Sequence, residues 1–258
     1  MPRLQQKRVL ITVKAYPSPS KKYGETVCCA GIDIDTGQWI RLYPIPFRDL
    51  ESPRKFDKYT VISVKCYKAK DDHRIESYKV DRDSIERLKR LGTKDNWAAR
   101  GRIILPTVSR SFCGILKEGG EGKSLGVFKP SEIEFSWQKA DLESEAKREG
   151  IYAQGMLFDR SKKAIEQIPF DFYYHFKCAG EPSCSGHKLC IVDWEIKQSY
   201  RKWRSRYASR AELLYKIREK WLGTICGDDR EAYFYVGNMK RFQNHFMVLG
   251  VFYPRKVR

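Results

Sequence analysis

Apolar and polar positions alternate with a period of two along much of this chain, and the stretches that do so predict strands. In residues 8–15, RVLITVKA, Val9, Ile11 and Val13 take one face while Leu10, Thr12 and Lys14 take the other. Residues 26–34 and 38–43 predict a hairpin, because Asp35-Thr36-Gly37 between them supplies a residue that tolerates positive φ. Further strands are expected at 59–67, 155–158, 169–177, 189–197, 231–236 and 245–253. The last of these is apolar on both faces, the pattern of a strand buried on both sides.

Helical signals are fewer. Asp83-Ser-Ile-Glu86 reads as a capping box that opens a helix, SIERLKRL, stopped by Gly92, and a short helix held down by Trp97 is expected at 94–100. Ser209-Arg-Ala-Glu212 opens another, in which Leu214, Ile217 and Trp221 recur on one stripe. The polar stretch 136–150 has no such stripe and reads as a boundary. Strands grouped apart from helices, without regular βα alternation, predict an α+β fold. Its N-terminal β-rich, barrel-like unit takes residues 1–136, and its C-terminal antiparallel sheet, with a basic helix and a Cys/His metal loop, takes residues 150–258.

Charge decides which partners come first. Fifty Lys and Arg against 32 Asp and Glu leave a net charge of +18 on 258 residues, a field that attracts polyanions, so DNA or RNA is the expected partner. A surface kept rich in charge for stability is the competing explanation. No apolar run is long enough for a membrane span and no export signal is evident, so a cytoplasmic protein with reduced thiols is expected. Cys28, Cys29, Cys66 and Cys113 lie in or beside apolar stretches and read as small core residues.

The positive charge is uneven. Residues 1–22 hold six basic residues and no acidic one, with Lys21 and Lys22 in a turn-rich stretch. Residues 199–222 hold eight basic against two acidic residues, and there Arg201, Lys202, Arg204, Arg206 and Arg210 interleave with Tyr200, Trp203 and Tyr207. Arginines pair phosphates and aromatic rings stack on bases, which makes this a candidate nucleic-acid contact. Trp39, Arg41 and Tyr43 share a strand face of the same aromatic and basic type, which an ordinary strand with a Trp at its edge would also show.

Metal chemistry concentrates in residues 178–195, CAGEPSCSGHKLCIVDWE. Cys178, Cys184, His187 and Cys190 have the donor chemistry of a structural Cys3His Zn2+ site, although C-x5-C-x2-H-x2-C is not a paired CxxC pattern. If 189–197 is a strand, Cys190 shares the apolar face of Val192, Trp194 and Ile196, which weakens it as a ligand. Cys226 or another distant residue then becomes a candidate fourth ligand, and with Cys226 an Fe–S cluster is also conceivable. The opposite face ends in Asp193, Glu195 and Lys197, a D-x-E-x-K arrangement that, with Asp171 from a neighbouring strand, could hold Mg2+ or Mn2+ for phosphodiester hydrolysis. Three functions follow as expectations: a nucleic-acid-binding protein with a structural zinc, a metal-dependent nuclease, and an RNA-modifying or repair factor whose catalysis comes from a protein partner.

Overall fold

The structure, a computed structural model, describes residues 3–20, 24–141 and 168–257. Its first seven strands are β1 (Gln5–Lys14), β2 (Ser18–Ser20), β3 (Gly24–Asp33), β4 (Trp39–Ile45), β5 (Thr60–Lys68), β6 (Ser77–Val80) and β7 (Glu86–Arg90). Their order runs β1-β3-β4-β6-β5, and β5 returns to pair antiparallel with β1, so five strands close into a barrel. Closure removes the unpaired edges that an open sheet would leave. β2 hangs on β3 and β7 on β5. Gly37, at φ +71°, makes the β3–β4 turn that the D-x-G signal predicts.

Val9, Ile11, Val27, Leu42, Ile62 and Val64 fill the barrel. The alternation predicted for β1 breaks once: the register against β3 slips between Ile11 and Val13, and Val13 joins Leu10 on the outer face. A bulge adds one residue and so reverses the faces beyond it. That outer face, with Ala30 and Ile32, packs against Leu125, Val127, Tyr235 and Leu249 and fuses the barrel to the rest of the chain.

After the barrel come α1 (Lys94–Ile104), β8 (Val108–Ser109), α2 (Phe112–Gly119), β9 (Leu125–Phe128), β10 (Pro130–Lys139), β11 (Phe170–Cys178), β12 (His187–Cys190), α3 (Trp194–Trp203), α4 (Arg210–Arg218), β13 (Tyr233–Met239) and β14 (Phe242–Phe252). One sheet has the order β14-β13-β9-β8 and a smaller one β10-β11-β12. An aromatic core that includes Phe112, Phe128, Phe172, Tyr174, Phe234 and Trp221 lies among them. The protein is thus α+β, mostly β, with a closed barrel and a separate antiparallel sheet. Residue 136, the expected end of the N-terminal unit, lies inside β10, whose partner is β11.

Two expected elements differ. Residues 82–84 form a 3-10 turn capped by the Asp81 side chain, and Glu86–Arg90 is strand β7 rather than a helix. Pairing with β5 satisfies that backbone and overrides helix propensity. The strand expected at 189–197 ends at Cys190, and α3 begins at Trp194. Lys21, Lys22, the strand expected at 155–158 and most of the polar stretch 136–150 lie outside the described residues; 136–139 belong to β10. Among the described residues no helix is long and apolar enough to cross a membrane.

Candidate metal centre and basic face

Three elements bring sulfur and nitrogen together. β11 delivers Cys178 at its end, the following loop delivers Cys184, and His187 opens β12. The fourth member is Cys113, in the first turn of α2, which Ser111 caps by accepting from the Gly114 N–H. One donor atom from each lies within 4.8 Å of all the others, and such a group can hold a metal ion. His187 Nε2 is 3.3 Å from Cys113 Sγ and 3.2 Å from Cys184 Sγ, and the Cys113 and Cys178 sulfurs are 3.8 Å apart. Gly180 and Gly186 adopt positive φ, +74° and +101°, which lets the loop double back on its ends. Burial lowers the His187 pKa and so favours the neutral imidazole that ligates metals.

Two expectations are corrected here. Cys190 is not in the cluster; it lies three residues beyond His187, opposite Tyr173 in the β11–β12 ladder. Cys226 is also elsewhere, with its sulfur 3.8 Å from the Tyr174 hydroxyl. Cys113, read from its apolar surroundings as a core thiol, takes the fourth place. Its signal is absent from linear spacing because it arrives from a helix on the far side of two strands.

Just past the cluster, residues 191–193 stitch the molecule together. The Val192 carbonyl accepts from the Tyr16 N–H at 2.9 Å, and the Val192 N–H donates to the Val248 carbonyl at 2.9 Å. Asp193 then caps α3 by accepting from the Glu195 N–H at 3.0 Å. Its other oxygen accepts from the Lys58 ammonium of the barrel at 2.6 Å, and Lys58 also lies 3.1 Å from Glu195. Burial opposes the charge on Lys58, but the two carboxylates outweigh it and hold its pKa above the usual value.

This geometry removes the D-x-E-x-K strand face. Asp193, 1% exposed, is committed to the cap and to Lys58. Lys197 points elsewhere: it donates to the Phe170 carbonyl at 2.7 Å and to Asp171 at 3.1 Å. Asp193, Glu195, Lys197 and Asp171 therefore make two separate lysine–carboxylate contacts rather than one Mg2+ site. The Cys/His cluster is the only group of three or more potential ligands close enough to hold an ion among the described residues.

The basic segment runs along α3 and into α4. Asp193 at the cap, Glu195 in the first turn and Arg201 and Lys202 in the last all favour the helix dipole. Ile196 and Tyr200 face the core, while Lys202, Arg204, Arg206, Arg210 and Arg218 are exposed and Arg201 is half-buried. Lys202, Arg206, Arg210 and Arg218 make no ion pair among the described residues. Trp203 and Tyr207 are half-buried and meet edge to face at 6.5 Å, and Tyr215 is 57% exposed. None of these residues lines the cavity between the barrel and the β13–β14 hairpin or the one beside Lys58 and Trp97.

The second predicted basic surface is dismantled. Arg41 is 3% exposed and donates to Cys28 Sγ at 3.3 Å and to the Ser124 carbonyl at 3.0 Å, so it ties the barrel to β9 instead of facing solvent. Trp39 packs edge to face on Tyr235 at 6.0 Å.

Fold and site together define a class: a barrel fused to an antiparallel α+β unit that carries a Cys3His cluster and a basic helical face. Residues 108–258 match the family described as Domain of unknown function (DUF8757), which covers more than half of the chain, and the protein belongs to that family. Residues 5–106, which hold the barrel, match a second family, Domain of unknown function (DUF8758). A search of curated proteins finds no match.

Proposed function

We propose that the protein binds nucleic acid, DNA or RNA, through phosphate contacts on the exposed face of α3 and α4, with a structural Zn2+ in the Cys113, Cys178, Cys184 and His187 cluster. The observation that carries the reading is the grouping of Lys202, Arg206, Arg210 and Arg218 in one exposed stretch, beside Trp203, Tyr207 and Tyr215, on a chain of net charge +18. Uncompensated cations neutralise phosphates, and rings beside them stack on unpaired bases.

Zinc is supported by distances. A tetrahedral ion with Zn–S of about 2.3 Å and Zn–N of about 2.0–2.1 Å implies S···S edges of about 3.8 Å and S···N edges of about 3.5 Å. The Cys113 and Cys178 sulfurs are 3.8 Å apart, His187 Nε2 lies 3.3 and 3.2 Å from the Cys113 and Cys184 sulfurs, and all four donor atoms fall within 4.8 Å of one another. Four protein donors leave no open position for substrate, so the role is structural. The ion would clamp α2, β11 and β12 together and so fix the strand from which α3 emerges.

The test is anisotropy of short labelled DNA and RNA strands and duplexes. Lys202→Glu with Arg206→Glu should weaken binding by about tenfold or more. Arg87→Glu with Lys89→Glu, equally exposed but on β7, should leave it nearly unchanged. Equal weakening by both pairs would reduce the effect to net charge and remove the assigned face.

A further inference from the structure

The cavity beside Lys58 and Trp97 has a volume of about 340 Å³, at the small end of ligand sites. It lies where the barrel, α1 and the start of α3 meet, and none of its lining residues belongs to the metal cluster or to the exposed cations of the basic face. Four cations line it, Lys14, Lys58, Arg90 and Arg100, against two carboxylates, Asp57 and Glu195. Both carboxylates are taken: Arg90 lies 3.3 Å from Asp57 and Lys58 3.1 Å from Glu195, with Asp193 also on Lys58 at 2.6 Å. Lys14 and Arg100 have no carboxylate within ion-pair distance among the described residues, although they are only 8% and 6% exposed. Burial pulls the pKa of both below its ordinary level, as expected of a charge kept inside the fold without a counter-ion.

The Arg100 side chain is held in place from three sides. Its guanidinium carbon lies 3.8 Å from the centre of the Tyr59 ring and 4.6 Å from that of Trp97, and its Nε donates to the Leu91 carbonyl at 2.9 Å. These contacts fix the plane of the fork. Nη1 and Nη2 make no hydrogen bond among the described residues and are not sealed, so a side chain that lines the cavity keeps two donors in reserve. Tyr59 and Trp97 both carry φ in the left-handed region, +63° and +65°, a strained conformation for an aromatic residue and one that gathers at ligand sites.

We infer that this cavity binds a phosphate monoester, its phosphate taken by Arg100 Nη1 and Nη2 as a bidentate pair within the positive field of Lys14 and Arg100. A planar fork matches both carboxylate and phosphate. The charge count decides between them: a phosphate dianion balances both uncompensated cations, whereas a carboxylate balances one. The monoester comes either as a small phosphorylated molecule or as the 5′ end of a strand, since Trp194 and Glu195 of the lining open the helix that leads to the basic face. The inference does not rest on that face.

Calorimetric titration of the full chain with inorganic phosphate and with AMP, each at low salt, tests it. At least one should bind. Arg100→Lys, which keeps the charge but loses the fork, should weaken it about tenfold or more. Glu195→Gln, which removes an opposing carboxylate, should tighten it about threefold, a gain that a purely structural role would not give. If circular dichroism shows that Arg100→Lys does not fold, Arg90→Gln serves instead: it leaves Asp57 uncompensated at the exposed rim and should weaken binding about threefold. No heat with either ligand at millimolar concentration, or an affinity unchanged in the folded arginine variant, overturns the inference. Anisotropy of paired oligonucleotides with a 5′ phosphate or a 5′ hydroxyl separates the sources. A preference for the phosphorylated strand that disappears in the arginine variant identifies the strand end, and equal affinity identifies the small molecule. Contacts on the α3–α4 face are common to both strands and cancel in that comparison, so each reading can fail without the other.

Discussion

Arg74 sits 6% exposed at the junction of the barrel and the β13–β14 hairpin, donating from Nε and Nη2 to Asp72 at 3.0 and 2.8 Å and from Nη1 to the Asn238 carbonyl at 3.0 Å. Burial alone would push the Asp72 carboxyl up, but the guanidinium bonds outweigh it and hold its pKa well below 3.8. A carboxyl depressed on folding contributes stability that is complete above its unfolded value and is lost as pH falls through the folded one. Acid unfolding of Asp72→Asn should therefore lack part of the stability loss that wild type shows below pH 3.8, which denaturant melts across that range will read. Asp193 makes the stronger case. Asp193→Ala removes the helix cap and strands Lys58 with Glu195 alone, and urea unfolding should show a loss of about 3–5 kcal/mol.

Elements decide what the sequence could disclose. The β3–β4 hairpin, the buried β14 and the stripe of Leu214, Ile217 and Trp221 were all legible, because each depends on neighbours close in the chain. Cys178, Cys184 and His187 were legible for the same reason, sharing one loop. Cys113 was not: 65 residues separate it from Cys178, and only the packing of α2 against the sheet closes that gap. The D-x-E-x-K face does not form because the strand alternation stops at Cys190 and the Asp193 side chain turns the backbone into a helix start. The β7 segment failed in the other direction, as a helical local signal yielded to a strand partner. The metal assignment has its own prediction. Protein purified without added metal should carry about one Zn per chain. Cys113→Ser and Cys184→Ser should lose it, whereas Cys190→Ser and Cys226→Ser should keep it, as elemental analysis will show. Retention in Cys113→Ser would return the fourth place to another residue.

At the scale of the whole molecule, the base of α3 is held twice. With the proposed ion bound, the Cys/His cluster would fix β12 from one side; Lys58 of the barrel holds Asp193 from the other, with residues 191–193 hydrogen-bonded to both β14 and the segment after β1. The exposed cations of α3 and α4 thus ride on a helix pair whose base is bonded to both family regions. The buried cations Lys14, Arg41, Lys58, Arg74, Arg100 and Lys197 take no part in the exposed field. What remains outside is a surface that should respond to ions as phosphate-binding surfaces do. The most direct measurement is the dependence of oligonucleotide affinity on salt. With Lys202, Arg206, Arg210 and Arg218 each meeting a phosphate, affinity should fall by about 50- to 150-fold between about 50 and about 200 mM monovalent salt, with log K linear in log salt. An affinity that stays level across that range, or no binding at the lower salt, would contradict the account.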